Sequence, residues 1–149
     1  MPSSSASAAP PTVAGPVYSS AAIDEALSAI AFDSAGLVPC IAQQHDSGEI
    51  LMMAWMNRDA VAETMRTGRL CYWSRSRKAL WRKGETSGHG QTLIDLRIDC
   101  DGDTLLALVD QSGVACHTGR HNCFFRALRD EKLTEITPVL IDPKQMYGN

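Results

Sequence analysis

No stretch of the 149 residues approaches the roughly 20 consecutive apolar side chains that a membrane-spanning helix needs, so no membrane partner is expected. Nor does the N-terminus join basic residues to an apolar core of signal-peptide length, which argues against secretion and for a cytoplasmic protein. Charge is missing altogether from residues 1–18, which are mostly Ser, Ala, Pro and Thr. Such a stretch buries too little apolar surface to offset the entropy of ordering it, and residues 1–20 are read as a flexible tail. A transit peptide is normally rich in Arg, and this tail has none. An excess of positive charge is also lacking: the formal net charge is -3, so the whole-molecule field repels a polyanion and no nucleic-acid partner is expected. Five cysteines cannot all pair. In a reducing compartment, clustered cysteines are more often metal ligands or catalytic groups than disulfide partners.

What is present fits an ordinary globular chain, 44% hydrophobic and 21% charged, and long enough to bury a core without disulfides. A single domain is expected over residues 21–140, followed by a loose segment at 141–149. Over 21–32, Ile23, Leu27, Ile30 and Ala31 recur at helical spacing. Residues 37–44 and 50–56 are apolar runs separated by a turn containing Asp46 and Gly48, which predicts a hairpin. Asn57 can cap a helix over 58–66, with Ala60, Val61 and Met65 on one face and Gly68 as its stop. A short strand is expected at 70–73, then a long loop over 74–90 where periodicity vanishes. A second hairpin has an acidic turn, its strands holding Thr92, Ile94, Leu96 and Ile98 and then residues 105–109. The elements predict an α+β fold of mainly antiparallel strands with two or three short helices.

Three of the cysteines, Cys100, Cys116 and Cys123, are spaced too widely for one local knuckle and closely enough to converge in a folded domain. Three thiolates suit zinc, and a catalytic zinc uses three protein ligands and leaves a position for water, whose pKa falls to about 7. His117 adjoins Cys116 and is placed to move protons. The same spacing also fits a closed site completed by His117 or His121, or buried cysteines with no metal. Cys40 and Cys71 lie inside apolar runs and are assigned to the core.

Asp99, Asp101 and Asp103 alternate with Cys100, Gly102 and Thr104, so in an extended chain their carboxylates share one side. Such a group suits magnesium, and a solvated acidic turn is the plainer alternative. If the aspartates face one way, Cys100 faces the other, toward a neighbouring chain. Zinc held by Cys100 of one protomer with Cys116 and Cys123 of its partner is the resulting hypothesis.

Acidic residues are also absent between Arg69 and Lys83, where Arg69, Arg75, Arg77, Lys78, Arg82 and Lys83 gather. Arginine forks and lysine ammonium groups bind phosphate, Ser74, Ser76, Thr86 and Ser87 add neutral donors, and Trp73 and Trp81 offer stacking surfaces. An ordinary solvated charge run with core tryptophans has the same composition. A noncatalytic zinc module binding RNA is opposed by the net charge, and a nucleobase deaminase would need a paired Cys-x-x-Cys that the chain lacks.

Read in order, Tyr72-Trp73-Ser74-Arg75-Ser76-Arg77, Leu80-Trp81, Lys83-Gly84-Glu85-Thr86-Ser87-Gly88, Gln91, Asp99-Cys100-Asp101-Gly102-Asp103, Cys116-His117-Thr118-Gly119 and Cys123-Phe124 closely resemble the phosphoribosyl-AMP cyclohydrolases. The likeness runs over about residues 36–126 and includes residues 51–57. It implies the third step of histidine biosynthesis, opening of the adenine ring of 1-(5-phosphoribosyl)-AMP between N1 and C6 by zinc-activated water. It also implies an intertwined homodimer, with zinc at Cys100, Cys116 and Cys123, one per subunit and shared across the dimer, and magnesium at Asp99, Asp101 and Asp103. His117 would assist proton transfer. Trp73, Ser74, Arg75, Arg77, Trp81, Lys83, Thr86 and Ser87 would contact the small-molecule nucleotide substrate. Two places depart from the family's usual wording: His89, where asparagine is frequent, and His121-Asn122 before Cys123. The stretch after Arg126 is too short for the pyrophosphohydrolase domain that follows in some relatives.

Overall fold

A computed structural model describes residues 15–146 of the chain. The first helix, α1 (Ser20–Ala29), starts where the Ser19 side chain accepts the Ala22 N–H at 3.2 Å. This is an ordinary N-cap. The helix is shorter than the periodicity of residues 21–32 predicts, because Ile30 is already extended. Of the tail expected at 1–20, residues 1–14 lie outside the described residues, and Ser20 belongs to the helix.

Strands β1 (Val38–Gln44) and β2 (Ile50–Met56) form the expected antiparallel hairpin. Burial alternates along β1, with Val38, Cys40, Ala42 and Gln44 facing the core. Helix α2 (Arg58–Thr67) follows, with Asn57 Oδ1 accepting the Ala60 N–H at 2.9 Å and Gly68 closing it in a left-handed conformation. Its buried face is Ala60, Val61, Thr64 and Met65, and Thr64 Oγ1 accepts the Cys71 N–H at 2.9 Å, tying the helix to the next strand.

That strand, β3 (Cys71–Ser74), turns back at once into β4 (Ala79–Arg82). The expected loop over 74–90 therefore contains a strand, since Ala79 and Leu80 carry too little apolar signal among charged neighbours to reveal one. The acidic hairpin is β5 (Gln91–Ile98) with β6 (Leu105–Gln111). Sheet order is β4-β3-β2-β1-β6-β5, with β1 and β6 parallel and the other pairs antiparallel. The sheet curls until its far edge meets the chain entering β3: Leu93 N–H donates to Gly68 O at 2.8 Å and Leu70 N–H to Gln91 O at 3.1 Å.

The core lies inside the curl and under the two helices, and includes Val38, Cys40, Ala42, Leu51, Met56, Val61, Cys71, Tyr72, Leu93, Leu105 and Val109. Cys40 and Cys71 are core residues, as the apolar runs predict. Polar groups inside are paired: Tyr72 Oη donates to Gln91 Oε1 at 2.7 Å, Gln91 Nε2 to Gln111 Oε1 at 2.8 Å, and Gln111 N–H to Gln44 Oε1 at 2.9 Å. Leaving such groups unpaired would cost about 1–3 kcal/mol each.

A second, two-stranded sheet follows, β7 (Arg126–Arg129) with β8 (Lys132–Glu135). The expected loose segment at 141–149 holds a short helix, α3 (Pro143–Met146), and its residues 147–149 lie outside the described residues. Among the described residues no helix is long and apolar enough to cross a membrane.

Candidate active site

After β6 the chain makes a tight excursion that carries two of the sequence-predicted thiols. Ala115 N–H donates to His121 O at 3.0 Å, and Gly119 N–H to Cys116 O at 3.0 Å, folding residues 115–121 back on themselves. Arg120 braces this loop from outside, with Nε donating to Thr137 O at 2.9 Å and Nη2 to Glu135 Oε1 at 2.9 Å. Leu140 N–H reaches Gly119 O at 2.8 Å, so the C-terminal stretch is docked on the cysteine loop.

Cys116 is buried, and its Sγ lies 3.0 Å from Thr118 Oγ1. Cys123 keeps an exposed face, while its sulfur sits among neighbours: burial first, then the Cys116 sulfur, push its thiol up to about 12. Lys83 reaches the same place, its Nζ donating to Ala115 O at 2.7 Å and standing 5.5 Å from the Trp81 ring centre. Burial holds this lysine below the usual range, while Cys123 and Cys116 work the other way. Two soft sulfur donors and one ammonium thus converge at the end of the curl. The donor pair fits zinc.

Cys100 is elsewhere. It is exposed in the β5–β6 turn, at the opposite end of β6 from Cys116. Seven residues at roughly 3.3 Å each put on the order of 20 Å between those ends, whereas sulfurs on one zinc lie within about 4 Å of each other. The three thiols do not meet within one chain.

The three aspartates do meet. Ligating oxygens of Asp99, Asp101 and Asp103 lie within 4.8 Å of one another, the sole such group among the described residues. The reason differs from the extended alternation read in the sequence. Here the chain turns: Gly102 N–H donates to Asp99 O at 3.1 Å, and Asp99 Oδ1 accepts the N–H groups of Asp103 and Thr104 at 3.0 and 3.2 Å. Hydrogen bonding to Asp101 and Asp99 raises the Asp103 carboxyl. Burial works against the shift at Asp99, yet bonds from Asp103 and from the Thr104 and Asp103 N–H groups hold its carboxyl low. Crowded carboxylates of this kind suit a hard cation. Gly102 is required at the apex, for its φ is +81° and a Cβ would meet Ala29 O at 2.5 Å.

The expected substrate contacts divide between two faces. A cleft of about 260 Å³ is lined by Arg77, Trp81, Lys83, Thr86 and Ser87, with Gly84 and Glu85. Ser74 supports it, its Oγ accepting the Arg77 N–H at 3.2 Å. Gly84 lets the loop pass against Gly90, whose backbone a Cβ would strike. Trp73 pairs in register with Trp55, while Trp81 pairs with Tyr72. Strand alternation therefore sends Trp73 and Trp81 to opposite faces. Arg75 stacks 4.9 Å from the Trp55 ring centre, away from the cleft. Arg82, part of the basic run, is held by Glu63 at 2.6 and 2.9 Å. His117 is exposed beside Cys116. Sequence reasoning missed Glu49, Thr118, Arg120 and the turn of Lys83 toward the cysteine loop, because all act through contacts formed only on folding.

The small α+β fold sets soft donors and a cationic cleft at one end and a carboxylate cluster at the other, donor sets that suit a metal-assisted hydrolase. Residues 52–125 match the family described as Phosphoribosyl-AMP cyclohydrolase. A phosphoribosyl-AMP cyclohydrolase of Granulibacter bethesdensis is 65% identical over 121 residues, 80% of this chain and 94% of its own. Those of Rhodospirillum centenum and Paramagnetospirillum magneticum are 62% and 63% identical, covering 85% of this chain and 96% and 97% of theirs. The chain belongs to the phosphoribosyl-AMP cyclohydrolase family.

Proposed function

We propose that the chain hydrolyses the N1–C6 bond of the adenine ring in 1-(5-phosphoribosyl)-AMP, giving the formimino aminoimidazole carboxamide ribonucleotide of histidine biosynthesis. The observation that carries this reading is the convergence of Cys116, Cys123 and Lys83 beside a cleft lined by Arg77, Trp81, Thr86 and Ser87. Family membership supports it. In the net reaction one water is added: its oxygen becomes the carbonyl oxygen on C6, one of its protons goes to N1 as the bond breaks, and the other goes to the exocyclic nitrogen, which becomes the carboxamide NH2.

Cys116 and Cys123 of one protomer, with Cys100 of its partner, would hold zinc. Zinc so bound supplies a water acidic enough to lose its proton near neutral pH. The chain's own groups do the rest. His117, exposed next to Cys116, takes the water's proton on a ring nitrogen and returns one to N1. Arg77, Lys83, Thr86 and Ser87 orient the phosphates and ribose, and Trp81 offers its face to the purine. Ser74 backs Arg77 from behind, while Trp73 and Arg75, expected from the resemblance to touch substrate, lie on the opposite face and contribute nothing to this cleft. Asp99, Asp101 and Asp103 of the partner subunit, which would arrive with the partner's Cys100, would hold magnesium for contact with a phosphate.

Two observations support a homodimer. Cys100 is too far from the other thiols to share their ion within a chain. The β7–β8 hairpin and the segment after it also expose Leu128, Leu133, Ile136, Val139 and Leu140, large apolar side chains of the kind an interface covers.

The deciding experiment adds 1-(5-phosphoribosyl)-AMP to zinc-loaded protein and follows ultraviolet absorbance as the ring opens. Turnover is expected, and chelation or Cys116→Ser abolishes it. No absorbance change with zinc confirmed bound overturns the reading. Mixing Cys100→Ser with Cys116→Ser protein under subunit exchange is expected to restore part of the activity, and an absence of recovery rules out sharing.

A further inference from the structure

The stretch that carries Cys116 and Cys123 has a few backbone hydrogen bonds of its own, and side chains from two separate loops also reach into it. His89, buried at the end of the 83–90 loop, accepts the Val114 N–H on Nδ1 at 2.9 Å. Its ring lies where a Cβ on Gly113 would be, so Gly113 and Val114 are seated directly on the imidazole. Cys116 follows two residues later.

Glu49, in the turn between β1 and β2, grips the other end. Its Oε1 accepts from His121 Nδ1 at 2.7 Å, and its Oε2 from Asn122 Nδ2 at 2.6 Å. One carboxylate thus spans the two residues that precede Cys123. Just beyond, Cys123 N–H donates to Leu51 O at 2.7 Å and Phe124 N–H to Asn122 Oδ1 at 2.8 Å. Each thiol therefore has its own anchor on a different loop.

We propose that Glu49 and His89 are positioning residues that hold Cys116 and Cys123 side by side before a metal ion arrives. The proposal rests on the reading of those thiols as zinc ligands. Its physical basis is entropy. Ordering a glycine-containing loop between two ligands opposes binding, and anchors formed on folding remove that opposition from the binding step. Groups that hydrogen-bond metal ligands are typically worth ten- to a hundredfold in affinity, and Glu49 and His89 act on the same geometry one or two residues from each thiol.

The test measures zinc affinity of the reduced full-length protein by competition with a chromophoric chelator. Glu49→Ala and His89→Leu are each expected to weaken retention at least tenfold, measured at a temperature where circular dichroism shows both ion-free variants folded. His89→Asn, whose Oδ1 is borne on Cγ as Nδ1 is, is expected to restore affinity to within about threefold. Amide exchange of the ion-free parent protein supplies a readout needing no variant: the Val114 and Phe124 amides are expected to be protected. Parent-like zinc affinity in both Glu49→Ala and His89→Leu, or free-chain exchange at both amides, overturns the proposal. If instead the parent binds zinc no better than Cys116→Ser, the zinc reading itself fails, and amide exchange still reports whether the anchors order the loop.

Discussion

The same side chain behaves differently according to what surrounds it, and the cysteines make the case. Burial pushes the Cys40 thiol up to about 12 and the Cys71 thiol up to about 11. Both are fully buried in the core, so they are poor nucleophiles and poor ligands. Native protein treated with iodoacetamide at pH 8 is expected to leave both unmodified, and denatured protein to label both, as read by mass spectrometry of peptides. The histidines differ in a similar way. Burial first, and then the nearby Lys83 ammonium, hold the His89 ring below the usual histidine range. A proton on Nδ1 would also displace the Val114 N–H. The unfolded chain therefore takes up a proton that the folded chain refuses, and stability present above pH of about 6.5 falls as pH drops toward the lower folded value. Urea midpoints at pH 7.5 and 5.5 are expected to differ less in His89→Asn than in the parent. At this scale the sequence was legible where residue type alone carries chemistry, as at Asp99, Asp101 and Asp103. It was opaque at Glu49 and His89, whose roles depend on partners 72 and 25 positions away.

Elements were legible where punctuation was strong. Asn57 and Gly68 bracket α2, and Asp46 with Gly48 breaks the apolar run into β1 and β2. Strand β4 was hidden because its four residues end in Arg82 and lie between Lys78 and Lys83, and β7–β8 because all four β8 residues and most of β7 are exposed. The parallel pairing of β1 with β6 links residues more than sixty positions apart and leaves no local trace. The acidic turn shows how an element can give a correct result for another reason: the carboxylates meet through a glycine-dependent turn packed on α1. Gly102→Val should therefore be costly, combining a φ of +81° with a Cβ facing Ala29 O. The expected loss is about 1–3 kcal/mol of stability, seen as a lowered thermal midpoint in calorimetry.

For the whole molecule, composition excluded more than it identified: the -3 net charge speaks against a polyanion, and the six cations between Arg69 and Lys83 mark one local exception. Folding then spends some of that charge internally, as Arg82 pairs with Glu63 and Lys83 with the cysteine loop. What no composition could reveal is the apolar surface of the β7–β8 hairpin, where Leu128 and Leu133 are register partners 72% and 61% exposed. Replacing both with Glu is expected to shift sedimentation equilibrium from dimer to monomer with the far-ultraviolet circular dichroism retained. Dimeric behaviour in that variant would remove the hairpin from the interface.

Strand β6 is in effect a spacer with one thiol set at each tip, and under the proposed pairing neither tip of a lone chain is a complete centre. Output then depends on encounter as well as on supply. Halving the synthesis of the chain in a cell would, once the concentration nears the dissociation constant of the pair, lower flux through the step by more than half. Gene dosage would thus act on this reaction with a curve steeper than a straight line.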